Sequence, residues 1–277
     1  MPVVKDTPII THSDISQINF PVVKVETSHL FSDTNFADDL PSAIYSPDHN
    51  KVLSFCSGNY QLTENEELFS PVIELAQSVL GDVQIITKSY DDRRFYVDII
   101  GDRRLYEVTK NDKICPMISI KNSYDGTVKQ GFSLSYFRQI CSNGMKGFAK
   151  EYSFESKHSK DKNILAELPI LKKDLLNIKM KIEEFKRMAD RQMTGEELDA
   201  LLEEFKTSKS IQYPKRLLEE VPEIIGTEQE ILKAPLSAWL VYNGFNNALM
   251  HADTKMLPEE KEKIDRRVLN HILLAAN

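Results

Sequence analysis

The sequence predicts an α+β fold: an antiparallel β-meander with packed helices, followed by a helical C-terminal half containing an αα-hairpin. Three observations carry this. Between residues 82 and 136, short runs rich in β-branched and aromatic residues alternate with turn dipeptides. From Ile164 onward the apolar residues recur at alternating steps of three and four. The two patterns meet at SFESKHSKDKN, residues 153–163, whose Ser/Lys-rich composition is that of a linker. The expected division is an α+β domain over 1–155 and a helical region over 160–277, either separate or packed on the first.

Taken in order, Ile18 to Glu26 and Val52 to Cys56 read as short strands, with the turn-rich FSDTNFADDLPSAIYSPDHN between them. Thr63 and Glu66 form a Thr-x-x-Glu capping box, in which each side chain satisfies an orphan backbone donor. Leu68, Val72, Ile73, Ala76, Val79 and Leu80 follow at helical spacing, and Gly81 stops the helix. The meander then runs through Asp82–Tyr90, Arg93–Ile100, Arg103–Thr109, Ile114–Lys121 and Thr127–Tyr136. Asp91-Asp92, Gly101-Asp102 and Asp125-Gly126 supply turns. Ser142 to Lys150 reads as a helix or helical turn. Leu168, Leu171, Leu175, Ile178, Ile182, Phe185 and Ala189 then form an a/d stripe, with Pro169 in the first turn where its missing donor costs little. Thr194 and Glu197 make a second capping box. The short break before them favours a cis αα-hairpin over self-association. Pro235 starts a helix carrying Trp239, Leu240, Phe245 and Leu249, and a last helix begins near Pro258.

A chain of 277 residues with 41% hydrophobic and 28% charged residues can bury a sizeable core. No apolar run approaches the roughly 18–20 residues of a membrane helix, and the N-terminus lacks a signal pattern, so cytoplasmic residence in a bacterial host cell is expected. Cys56, Cys115 and Cys141 are far apart and odd in number, which argues for reduced thiols rather than disulfides or zinc. The net charge of −7 is uneven. Residues 1–87 hold 3 Lys/Arg against 12 Asp/Glu, residues 88–150 hold 12 against 7, and residues 151–277 hold 20 against 23. A basic middle in an acidic chain points to a polyanion partner; a solvated sheet surface would carry the same residues.

Motifs with catalytic mechanics are missing from the sequence: no Walker loop, GxGxxG after a strand, GxSxG or HExxH occurs. The six histidines form no ligand pair, so no cofactor or metal is expected. Cys141 at a helix start is the one candidate nucleophile, with His158 as its conceivable partner. The arginines suggest more. Arg93/Arg94 and Arg103/Arg104 open neighbouring strands, each followed by a tyrosine, Tyr96 and Tyr106. With Lys121 and Arg138, they would let a sheet surface track phosphates while the tyrosines stack bases.

Three landmarks occur in order: NSYDGT at 122–127, RQICSNGM at 138–145 and KHS at 157–159. Together they resemble the phage/plasmid-like family catalogued as domain of unknown function 932. Its members carry Ser-His-Asp-Gly-Ser, then Arg-Val-Val-Cys-x-Asn-Thr-Leu, then an Arg-His-Thr-like step. WLVYNGFNNALMH at 239–251 is similar to the family's late helix. The matching positions are Asp125, Gly126, Arg138, Cys141, Asn143 and His158. Tyr124 stands where the family often has His, Gly144-Met145 replaces Thr-Leu, and Gly244 replaces Ala. The resemblance implies a mobile-element setting among replication and recombination genes, and no catalytic residues. A basic meander beside helices is also remotely similar to RecT/Redβ-type single-strand annealing proteins.

The first expectation is therefore a non-catalytic phage or plasmid protein of DNA metabolism. It binds single-stranded DNA and anneals strands in recombination as a homo-oligomer, with no membrane association. The alternatives are a protein–protein module, acting on a phage or host protein as regulator or host-defence antagonist, and an enzyme built on Cys141 and His158.

Overall fold

The computed structural model describes residues 9–12, 14–30, 41–138, 143–145, 153–158, 163–252 and 256–276. The first elements are β1 (Ile9–His12), a 3₁₀ turn (Ile15–Gln17), β2 (Val23–Glu26), α1 (Thr27–Leu30), β3 (Ser42–Ser46) and β4 (Lys51–Cys56). They are followed by α2 (Asn65–Leu80), β5 (Gln84–Tyr90), β6 (Arg94–Ile100), β7 (Tyr106–Thr109), β8 (Asp112–Ser123) and β9 (Gln130–Arg138). The short strands β10 (Asn143–Met145) and β11 (Ser153–Ser156) precede a 3₁₀ turn at Ile164–Glu167. The helical part comprises α3 (Leu168–Leu176), α4 (Ile178–Asp190), α5 (Gly195–Thr207), α6 (Lys215–Leu218), α7 (Val221–Leu232), α8 (Ala238–His251) and α9 (Pro258–Ala276). The fold is α+β with antiparallel sheets and a helical C-terminal half, as the sequence predicts.

The chain divides into two units, each assembled from three segments. Unit 1 takes Met1–Arg103, Ile118–Leu134 and Tyr152–Leu175; unit 2 takes Arg104–Met117, Ser135–Glu151 and Leu176–Asn277. Strands β8 and β9 each contribute residues to both. Part of the stretch with linker composition, residues 153–156, is strand β11, paired antiparallel with β9.

Unit 1 holds the three-stranded antiparallel sheet β2-β3-β4 and, in the order β1-β5-β6-β8-β9, most of a larger one. Along β6 the side chains alternate: Phe95, Val97 and Ile99 enter a core with Leu68, Phe69 and Val72 of α2, while Arg94, Tyr96 and Asp98 take the other face. The β5–β6 turn holds Asp91 and Asp92 at φ 60° and 55°, left-handed values that short polar residues tolerate. Gly81 at φ 84° ends α2, as predicted.

Three local expectations are corrected. The capping box of α2 is Glu64 with Glu67, one residue past Thr63/Glu66; the Glu64 N–H donates to Glu67 Oε2 at 3.3 Å. SAIYS at 42–46, read as loop, is the central strand β3, because pairing on both sides and burial of Ala43 and Ile44 outweigh the flanking prolines. β2 starts at Val23 rather than Ile18, since Pro21 lacks a donor and Asp14 caps a 3₁₀ turn just upstream.

Unit 2 packs α4 to α9 with β7 around an aromatic core that includes Phe185, Phe205, Trp239, Tyr242 and Phe245. The a/d stripe is broken at Asn177, which lies between α3 and α4 at φ −95° and ψ 11°, outside helical geometry. Leu171 and Leu175 of α3 serve the unit 1 core, whereas Ile178, Ile182 and Phe185 of α4 serve the unit 2 core. The main neighbours of α4 are α8 and β7 rather than α5; Phe185 sits 5.0 Å from Trp239, ring centre to ring centre. The Thr194/Glu197 box opens α5 as predicted, with Thr194 N–H donating to Glu197 Oε2 at 2.7 Å. Helix α8 begins at Ala238 behind an N-cap Ser237, not at Pro235. It approaches α7 so closely that a Cβ on Gly244 would lie 2.4 Å from Ile225 Cγ1, which accounts for the glycine. Asn143–Met145, expected in a helix, is instead strand β10 against β9.

Candidate functional site

The 122–128 turn is held by its own short polar side chains. Gly126, at φ 68°, turns the chain, and Asp125 Oδ1 accepts from Thr127 N at 3.0 Å and from Thr127 Oγ1 at 2.6 Å. Ser123 closes the loop by exchanging hydrogen bonds with Val128, donating to its carbonyl at 2.7 Å. Asn122 Nδ2 donates to Thr63 O at 2.9 Å and to Asn65 Oδ1 at 3.0 Å, and Asn65 Nδ2 donates to Ile18 O at 2.7 Å. Tyr124 is buried against Phe95, and its hydroxyl accepts from Asn65 N at 3.1 Å, so it satisfies an orphan donor in the first turn of α2. Burial pushes its phenol pKa up. The Tyr124 side chain thus anchors the start of α2.

His158 belongs to the same neighbourhood. Its ring stacks on Tyr60 at 4.9 Å, and Tyr60 Oη donates to Ser123 O at 2.9 Å. Nε2 lies 3.2 Å from Val128 O, a carbonyl that only accepts, so Nε2 carries the hydrogen and Nδ1 the lone pair. Nδ1 is enclosed without a hydrogen-bond partner among the described residues. Burial holds the imidazole pKa below its ordinary value, against weaker opposing pulls from Val128, Gln61 and Asp125. Cys141 lies outside the described residues, and Asn143 pairs through its backbone with Arg138.

The predicted nucleic-acid contacts scatter. Arg94, Tyr96 and Lys121 share the sheet face of unit 1 opposite α2: Lys88 pairs with Tyr96 across β5–β6, and Ser119, two residues from Lys121, donates to Asp98. Arg93 and Arg94 both pair with Asp91, at 3.3 and 3.0 Å, and Lys51 pairs with Asp92 at 3.2 Å beside them. Arg103 lies beyond the opposite end of β6, paired with Asp82. Arg104, exposed, and Tyr106, packed on the unit 2 core, belong to the other unit. Tyr96 is 7% exposed, too covered to stack a base as it stands.

Lys121 and Lys129 share Glu155, at 2.6 and 3.3 Å, near a glycine whose missing side chain matters. A Cβ on Gly131 would lie 2.6 Å from Phe154 O, so β11 approaches this closely only over glycine. Burial works to raise the Glu155 pKa, but the two ammonium groups outweigh it and hold it below the ordinary range.

Arg138 has no solvent-exposed surface and cannot meet a phosphate in this conformation. Its Nε and Nη2 form a fork on Asp112, at 2.8 and 2.6 Å, and Nη1 reaches Glu228 Oε2 at 2.6 Å. Trp239 Nε1 donates to Asp112 Oδ2 at 2.7 Å. The family-motif arginine is thus the centre of a buried ion cluster in unit 2. Asp112 and Glu228, which hold it, carry no local signal in the sequence.

Among the described residues, no group of three or more His, Cys, Asp or Glu is placed to hold a metal ion, and no helix is long and apolar enough to cross a membrane. Comparison with curated proteins found no match, and comparison with solved structures found none. The model of one family, described as Domain of unknown function (DUF932), matches residues 52–270, which include the 122–128 turn, Arg138 and α8; the chain belongs to that family.

Proposed function

We propose that the chain is a phage or plasmid protein of DNA metabolism that binds single-stranded DNA through unit 1, and that it anneals strands as a homo-oligomer. The observation that carries this is the clustering of cations at one end and one face of the unit 1 sheet: Lys51, Arg93 and Arg94 at the β5–β6 turn, with Lys88 and Lys121 on the strands. The ion pairs of Lys51 and Arg93 are partly exposed, and such pairs contribute only about 0–1 kcal/mol, so phosphates can displace the carboxylates. Arg138, Tyr96 and Tyr106 act by holding the fold, and Arg103 and Arg104 are peripheral contacts. No hydrolysis is involved.

The test is fluorescence anisotropy of a labelled oligonucleotide across a salt series. Four exchanged phosphates would give a slope of about −3 in log affinity against log salt, since each contributes about −0.7 on single strands. Arg93→Glu with Arg94→Glu should flatten that slope and weaken binding. A correctly folded protein that binds no oligonucleotide at low salt ends the proposal.

A second function has its own support. Arg93, Arg94, Arg103 and Lys121 are each already matched by a carboxylate, as expected if they are structural and the protein acts on a phage or host protein as regulator or host-defence antagonist. In that case a stable partner co-purifies, and its capture is indifferent to the same double substitution.

A further inference from the structure

Unit 2 contains a half-open cleft of about 250 Å³ that the proposed DNA contacts do not use. Its apolar wall includes Met193, Leu201 and Ile272. Its backbone frame is fixed: Met193 N–H donates to Leu236 O at 3.0 Å and Ala238 N–H to Arg191 O at 2.9 Å. The polar groups fall into two pairs. Arg191 Nη2 lies 2.6 Å from Glu197 Oε1, and that bond, followed by the Thr194 N–H, holds the Glu197 pKa below the ordinary carboxylate range. The guanidinium and this carboxylate are therefore paired with each other. Glu204 has a different partner, the imidazole of His271, with Nε2 3.1 Å from Oε2. The Glu204 side chain is 51% exposed, and its other oxygen is not engaged in that contact. The cleft thus carries two carboxylates against one guanidinium and one imidazole, with an apolar wall beside Glu204.

We propose that this cleft binds a small organic ammonium: a primary or secondary amine on an apolar body of single-ring size. Charge complementarity selects a cation over an anion, because a carboxylate ligand would have to displace Glu197 from the one guanidinium and would still meet both carboxylates of the cleft. Size follows from volume. An apolar cavity of about 150 Å³ accommodates a benzene, so about 100 Å³ more leaves room for a ring with a two-carbon amine arm. An apolar lining with a few convergent polar groups is the usual character of small-molecule sites. In the complex, the ring would lie on Leu201 and Ile272 and the ammonium would donate to Glu204, with His271 keeping that carboxylate in place.

The experiment titrates 2-phenylethylamine into the full chain and follows the methyl resonances of Leu201 and Ile272 by NMR. Phenylacetate and 2-phenylethanol serve as the anionic and neutral counterparts. The expected result is saturable shifts at both methyl groups, with the amine binding at least about tenfold more tightly than either counterpart. Glu204→Gln, at an exposed position, should reduce amine affinity about tenfold and leave the alcohol unaffected. Ala200→Trp, on the exposed side of α5, should fill the cleft and abolish binding of all three. Equal binding of amine and acid, an unchanged affinity in Glu204→Gln, or no saturable shift at the two methyl groups would each overturn the proposal.

Discussion

The two units bury polar clusters of opposite character. Around the 122–128 turn of unit 1 the buried side chains are neutral: Asn65, Asn122, Ser123 and Tyr124 exchange hydrogen bonds with backbone and with one another. In unit 2 the corresponding cluster is ionic, with Arg138 between Asp112 and Glu228. Desolvating a neutral amide that keeps its partners costs little, so the unit 1 network can lose a member at moderate expense. Desolvated ions are different: each depends on the others, and removing one strands a charge where water cannot reach it.

The largest effect should come from Arg138→Met. It leaves the buried carboxylates of Asp112 and Glu228 without their cation, and breaking a buried pair costs about 3–5 kcal/mol. Urea unfolding measures this; a loss below about 1 kcal/mol would show that the carboxylates find other partners or take up protons without penalty.

A second, smaller ionic feature of unit 2 sharpens the contrast through pH. Asp265 is buried, accepting from Tyr242 Oη at 3.1 Å and Asn246 Nδ2 at 2.8 Å. Burial raises its pKa from 3.8 to about 6, with the two hydrogen bonds pulling the other way. A raised folded-state value means that the folded form holds its proton longer than the unfolded form. The associated stability is therefore fully present below the unfolded value and is lost as pH rises through about 6. Its total is about 3 kcal/mol, and the difference in unfolding free energy between wild type and Asp265→Asn should decline by roughly that amount between about pH 4 and 7. A difference that is flat across this range would mean that Asp265 is ionised and solvated.

Asn122→Ala tests the neutral side of the comparison. It leaves Asn65 Oδ1 and Thr63 O without their donor, for a loss of about 1–3 kcal/mol, read from the same urea curves. A loss matching that of Arg138→Met would remove the distinction between the clusters. Smallest of all, Thr194→Ala removes an exposed cap and should cost about 1 kcal/mol, a modest fall in the midpoint of thermal unfolding.

Features governed by near neighbours were legible in the sequence. The alternation along β5 and β6, the period of α2, its Gly81 stop, the Thr194 box and the Gly126 turn all depend on residues within one turn or one strand of each other. Features set at long range were not. β3 is a strand because β2 and β4 flank it. Arg138 reads as a phosphate contact until Asp112 and Glu228, 26 and 90 residues away, are seen to claim it. The Leu/Ile stripe from Leu168 to Phe185 has the period of one helix, yet its two halves serve different cores, because a short period carries no record of which surface it covers. The candidate DNA face was legible as composition, a basic middle, but not as geometry, since the acidic partners of its cations are brought to them by the fold.

The interleaving of segments has a consequence for how the protein is made. Unit 1 has all three of its segments once Leu175 has emerged from the ribosome, whereas Arg104–Met117 and Ser135–Glu151 have left earlier and still lack the helices that complete unit 2. During that interval Arg138 is without Glu228 and Asp112 is without Trp239. Unit 1 can close during synthesis; the ionic cluster of unit 2 must wait for the far end of the chain, and no single cut in the gene would deliver either unit intact.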